Sequence, residues 1–136
     1  MNNSELVNLA FEARKMSYSP YSGFSVGAAL LCSDGTVYTG CNIENSAFSP
    51  TNCAERTAFF KAVSEGEREF VKIAVVGGET KNESPDNYCP PCGVCRQVMK
   101  EFCSGDFEIV MAKSTDDFKI KTLSQLLPES FDNREV

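Results

Sequence analysis

The chain contains no histidine at all. That absence excludes a Ser-His-Asp triad, a Cys-His nucleophile, an HExxH zinc site and any imidazole base. A metal bound here must be held by sulfur or carboxylate. A side chain that moves protons near neutral pH must be Glu, Asp, Lys, Tyr or Cys. Positive charge is also scarce: 13 Lys and Arg stand against 19 Asp and Glu, a net charge of −6 over 136 residues. No run of Lys or Arg exceeds two residues. Nucleic acid and anionic membrane are therefore not expected partners, since phosphate binding rests on clustered cations. No apolar stretch has spanning length. Met1 to Glu5 is polar and acidic, without the apolar core of a signal peptide, so a cytoplasmic location is the expectation. Hydrophobic residues make up 42% of the chain, and its length suits a single domain, expected over 1–136.

Cysteine, by contrast, is plentiful. Cys32, Cys41, Cys53, Cys89, Cys92, Cys95 and Cys103 make seven. An odd number would strand one thiol in a full disulfide framework, so metal binding or catalysis is the better reading. Cys32, Cys41 and Cys103 fall at strand or helix positions and read as small buried hydrophobes.

The pattern predicts the order α-β-β-α-β-α-β-β. Ser4 is placed to cap a first helix running to about Ser17. Phe24 to Cys32 and Thr36 to Cys41 form a hairpin about Asp34-Gly35. Thr51 or Asn52 is expected to cap a second helix, with Cys53 in its first turn and Gly66 at its end. Val71 to Val76 reads as a buried strand closed by Gly77-Gly78. A polar loop, Glu79 to Pro91, leads to a third helix from about Cys92 that buries Cys95, Val98, Met99 and Phe102. Two strands, 107–112 and 118–122, and a short helical turn, 123–127, complete the chain. The β-α-β portion implies parallel pairing through a right-handed crossover. Helices that follow strands open at the carboxyl edge of such a sheet, where ligand crevices form.

Three cysteines can converge at that edge. Cys53 opens one helix, and Cys92 and Cys95 share one face at the start of another. Helix N-termini favour thiolate, the form that zinc takes. Three protein ligands and an open position are the layout of a catalytic zinc; structural zinc usually has four. Zn²⁺ with three thiolates sums to −1, and Arg56, three residues after Cys53, is placed to offset it. Glu55 is the general-base candidate. On a regular helix it would point about 160° away from Cys53, yet at a first turn it can still reach over a metal-bound water. Cys89 is a rival ligand. Pro90-Pro91 favours an extended chain that holds Cys89 and Cys92 roughly 9 Å apart at Cα, so Cys89 is expected not to bind the metal.

Cys53-Ala54-Glu55 together with Pro91-Cys92-Gly93-Val94-Cys95-Arg96-Gln97 resembles the signature of the cytidine deaminase family, a zinc group in which a non-ligand Glu is the acid/base. The resemblance extends to Tyr21 through Leu30, Gly40 through Asn45, Glu55 through Ala58 and Leu126-Leu127-Pro128. It implies a three-layer α/β/α fold about a central mixed five-stranded sheet. The implied reaction is hydrolytic deamination of cytidine and deoxycytidine in pyrimidine salvage. Zinc-bound hydroxide would add at C4, and Glu55 would carry the proton to N3 and then to the leaving amine. The resemblance further implies that the backbone at Ala54 and Cys92 contacts the base, that Phe24 stacks on it, and that Asn42 and Glu44 contact the ribose. It points to the short, homotetrameric branch, with Phe131 reaching a neighbour's site. Phe48 stands where relatives often have Tyr, and the 79–88 loop is longer than usual. Two other readings stay open: a blasticidin S deaminase-like aminohydrolase, and a non-catalytic Cys₄ zinc module using Cys53, Cys89, Cys92 and Cys95.

Overall fold

The longest apolar runs of the chain become the middle of a sheet, because that sheet is covered on both faces. The computed structural model describes residues 1–133; the last three residues of the domain expected over 1–136 lie outside the described residues. The elements are α1 (Asn3–Arg14), β1 (Phe24–Cys32), β2 (Val37–Cys41), α2 (Ala54–Ser64), β3 (Phe70–Glu79), α3 (Gly93–Phe102), β4 (Glu108–Ala112), β5 (Phe118–Thr122) and α4 (Leu123–Leu126). The strand order is β2-β1-β3-β4-β5. Among the sheet neighbours of the described residues, β3 and β4 pair in parallel, joined through α3, and the others are antiparallel. The expected mixed five-stranded sheet and element order are both present.

Successive residues of a strand point to opposite faces, so each central strand feeds two cores. Ala28, Leu30, Ile73, Val75, Ile109 and Met111 pack with α2 and α3 around the fully buried Phe59. Ala29, Leu31, Ala74, Val76, Val110 and Ala112 pack on the other side with Leu6, Val7 and Ala10 of α1. This is why these strands read as continuous apolar runs, not alternating ones.

Several boundaries differ from expectation, each for a local reason. Asn2, not Ser4, caps α1, accepting from the Glu5 N–H at 2.8 Å. The Ser4 hydroxyl instead donates to the Thr115 carbonyl at 2.8 Å. The helix stops at Arg14, short of Ser17, because Tyr18 forms a bridge with Ile43. Cys53 itself is the N-cap of α2, in extended conformation, in place of Thr51 or Asn52. The Asn52 amide donates to the Thr57 hydroxyl at 3.2 Å, and Thr51 accepts from the Asn45 N–H at 3.1 Å. On α3, Cys95 and Met99 are buried, while Val98 and Phe102 are only partly so. Strand β3 runs through Gly77 and Gly78 instead of ending at them. A side chain at Gly77 would place its Cβ 2.7 Å from the Cys89 sulfur.

Gly40 of β2 sets the position of α2. A Cβ there would stand 2.5 Å from the Ala54 carbonyl oxygen and 2.6 Å from the Ala58 nitrogen. Both are helix backbone, which cannot step aside as a flexible side chain can. Gly40→Ala is therefore expected to lower stability by roughly 1–3 kcal/mol, the usual range for overpacking. Urea unfolding against the parent checks this, and an unchanged midpoint would refute the close approach.

Candidate active site

The β2-to-α2 and β3-to-α3 connections deliver two helix starts side by side. Cys53 is the N-cap of α2 and Cys92 the N-cap of α3, both with extended backbone and neither using its side chain as a cap. Their sulfurs are therefore free to meet. Cys53 Sγ lies 3.8 Å from Cys92 Sγ, and Cys92 Sγ lies 3.5 Å from Cys95 Sγ. All three fall within 4.8 Å of one another. Every cysteine is a free thiol. Two sulfurs each ~2.3 Å from one ion at a tetrahedral angle would be ~3.8 Å apart. The spacing and the all-sulfur donor set thus fit a tetrahedral zinc with one position left over.

The proton distribution fits the same use. Hydrogen bonding from Cys95 brings the Cys53 thiol down to about 5, against the opposing effect of burial and with help from Arg56 and Cys92. Cys95 is driven the other way, by its hydrogen bond to Cys53 and by burial. Three sulfurs this close cannot all be thiolates unless a cation joins them. Arg56 donates from Nη2 to Cys53 Sγ at 3.1 Å. Burial works against its charge, but the bonds to Cys53 and Cys95 outweigh it and hold the guanidinium protonated. Its Nε is a buried donor with no hydrogen-bond partner among the described residues.

Glu55 is buried at 4% exposure, unusual for a carboxylic acid. Burial pushes its carboxyl up to about 7; its own backbone N–H counters this, Cys53 adds to it and Arg56 opposes it. The helical-wheel angle from Cys53 does not apply here, because Cys53 is outside the helix proper. Both residues line one cleft of about 330 Å³.

That cleft brings together Phe24, Asn42, Glu44, Cys53, Ala54, Glu55 and Cys92 of the expected residues. Cys95 lies behind it, buried. Arg56 reaches the sulfurs without lining the cleft. Phe131 does not line it either; the residue is 65% exposed, and its carbonyl accepts from the Gln97 amide at 3.1 Å. Phe48 is almost wholly exposed. Cys89 lines the cleft, yet it stands outside the three-sulfur group, packed against Gly77, and burial raises its thiol to about 12.

Ser22, Thr51 and Asn52 also line the cleft; Thr51 and Asn52 were expected only as helix caps, and none of the three as a site residue. Ser22 sits inside the Tyr21–Leu30 stretch that carries the resemblance, so a signal was present. The side-chain partner that makes Ser22 matter, Glu44, is 22 positions away.

A family model described as "Cytidine and deoxycytidylate deaminase zinc-binding region" matches residues 1–111. A cytidine deaminase of Sporosarcina psychrophila is 49% identical over 136 residues, covering 100% of this chain and 96% of the relative. One from Halalkalibacterium halodurans is 50% identical over 131 residues, covering 96% of this chain and 95% of its own length. Among solved structures, the cytidine deaminase of Burkholderia pseudomallei superposes with a TM-score of 0.87 at 43% identity, covering 96% of this chain and all of that one. The chain belongs to the cytidine deaminase family.

The geometry separates the four cysteines near the cleft. Cys92→Ser is expected to lose bound zinc, and Cys89→Ser to keep about one ion per chain. Metal analysis of the purified variants decides it; loss of zinc from Cys89→Ser would revive the closed Cys₄ arrangement. Arg56→Ala should retain the fold but release zinc to a chelator faster than the parent, because the −1 charge of a three-thiolate site then stands uncompensated. Equal release rates would reduce Arg56 to a surface charge.

Proposed function

We propose that this protein hydrolytically deaminates cytidine and deoxycytidine to uridine and deoxyuridine, releasing ammonia, with Cys53, Cys92 and Cys95 holding zinc. The observation that carries this reading is a three-sulfur group of tetrahedral spacing next to a carboxyl that burial has pushed up to about 7. Family membership and near-full-length similarity to proteins named cytidine deaminase support it.

When bound, zinc supplies Lewis acidity that eases deprotonation of the attacking water. Glu55 then moves the proton. Its carboxylate oxygen takes one proton from the water and passes it to ring N3 as oxygen adds at C4. It then takes the second proton from the new C4 hydroxyl and gives it to the amine as the C4–N bond breaks and ammonia leaves. One group can serve each transfer because a carboxyl near 7 is neither too strong a base to release a proton nor too weak to take one. Arg56 balances the excess negative charge of the thiolates. Phe24, at the cleft wall, stacks on the pyrimidine; the backbone at Ala54 and Cys92 contacts the base; Asn42 and Glu44 take the sugar. Glu44 would repel a phosphorylated sugar only where the phosphate lies near its carboxylate.

The same reading assigns the chain to a homotetramer in which Phe131 closes a neighbour's site, and to pyrimidine salvage in the cytoplasm. The exposure of Phe131 and of Phe48 supports an assembly that covers them. No helix of the described residues is long and apolar enough to cross a membrane.

Ultraviolet absorbance with cytidine tests the activity directly, because deamination shifts the spectrum. Glu55→Gln should retain zinc while kcat falls by on the order of 10²–10⁴, the usual contribution of a general acid–base group. Near-parental turnover would remove Glu55 from the mechanism. Sedimentation at assay concentration should show a tetramer; a fully active monomer would contradict a shared site.

A further inference from the structure

We propose that Ser22 is a positioning residue for the sugar: its hydroxyl fixes the direction in which Glu44 presents its carboxylate to the cleft, and so governs substrate affinity but not the chemical step. The proposal rests on the reading above that Asn42 and Glu44 take the sugar.

Glu44 enters the cleft already anchored. Its Oε1 accepts from the Tyr21 N–H at 3.0 Å and from the Ser22 N–H at 3.1 Å. Its Oε2 accepts from the Ser22 hydroxyl in a short contact. A carboxylate offers about four acceptor positions, two on each oxygen. Oε1 is therefore filled, and Oε2 keeps one position for a ligand.

The Ser22 hydroxyl is in turn directed by its own neighbour. Its oxygen accepts from the Phe24 N–H at 3.0 Å. Its single proton has two acceptors in reach, and the Phe24 carbonyl is the distant one at 3.5 Å. The proton therefore points at Glu44. Gly23, with φ of +66°, makes this possible, since that backbone turn returns the Phe24 N–H to the side chain of Ser22. The donors from Ser22 and Tyr21 also hold the Glu44 carboxyl below its ordinary range, which keeps it ionised and acceptor-only.

Asn42 is fixed from the same segment and is complementary. Its Oδ1 accepts from the Ser17 hydroxyl and from the Val26 N–H at 2.9 Å. Its Nδ2 spends one hydrogen on the Phe24 carbonyl at 2.8 Å. One N–H remains. The pair thus presents one donor on Asn42 and one acceptor on Glu44, the complement of a single hydroxyl that accepts from the first and donates to the second. Ser22 supplies the one donor to Glu44 that a side-chain substitution can delete, because the other two are backbone.

Ser22→Ala, Ser22→Thr, Glu44→Gln and the double variant Ser22→Ala/Glu44→Gln would be compared with the parent as zinc-loaded enzymes on cytidine. The readouts are kcat, KM, zinc per chain and melting temperature. Ser22→Ala should raise KM roughly two- to tenfold, the worth of about one hydrogen bond. Its kcat and zinc should stay parental, Ser22→Thr should restore KM, and the double variant should have a KM close to that of Glu44→Gln alone. The proposal is overturned if Glu44→Gln raises KM and Ser22→Ala does not, or if the two effects simply multiply. It is equally overturned if Ser22→Ala lowers kcat, zinc or melting temperature with KM unmoved, the mark of a merely structural role. A parental KM in Glu44→Gln would overturn the sugar-contact reading itself, and the proposal with it.

Discussion

Everything at this site depends on bringing three sulfurs to within bonding distance of one point while keeping them ionisable. Thiolates repel one another and resist burial, so the fold must supply compensation from several directions. Two helix N-termini face the cluster with their unpaired N–H groups, and Arg56 touches it from within the first turn of α2. A zinc ion held by the three sulfurs would complete the compensation.

The close approach of α2 to β2 serves the same end. Gly40 has no side chain, so the helix backbone can lie directly on the strand, and the start of that helix carries Cys53, Ala54 and Glu55. Thr57 reinforces the contact, its hydroxyl donating to carbonyls of Cys41 and Cys53 at 3.0 and 3.1 Å. On the other face of the sheet, the guanidinium of the buried Arg14 reaches the carbonyls of Ser25, Gly78 and Glu79 at 2.8–3.0 Å. It thereby pins the end of β3 where the long 79–91 loop departs. The β2-to-α2 connection and the start of α2 carry Asn42, Glu44, Cys53 and Glu55, and the start of α3 carries Cys92 and Cys95. Rigid placement of groups on strand ends and helix starts suits a reaction that needs oriented reactants.

Much of this was legible without coordinates because it is local. Strand runs, the Asp34-Gly35 hairpin turn and the i, i+3 pair Cys92 and Cys95 follow from periodicity and short spacing. Helix starts were less legible. Cys53 caps α2 although it makes no capping hydrogen bond, while the better capping residues Thr51 and Asn52 are drawn to Asn45 and Thr57. Gly77 and Gly78 resemble a strand terminator, yet they continue β3 because Cys89 and Pro85 need the space their side chains would fill.

The sequence alone restricted the chemistry available: without histidine, sulfur or carboxylate had to hold any metal, and the C-A-E segment followed by P-C-x-x-C offered three cysteines and one glutamate for the task. Composition and short spacing carry that information because they restrict which functional groups exist and which share a helix turn. Tertiary structure alone decided which groups meet. It brought Cys53 to Cys92 and Cys95, buried Glu55 enough to shift its proton affinity, and set Ser22 against Glu44. Those outcomes depend on distances between residues far apart in the chain, and on water being driven from between them, neither of which is written in any local pattern.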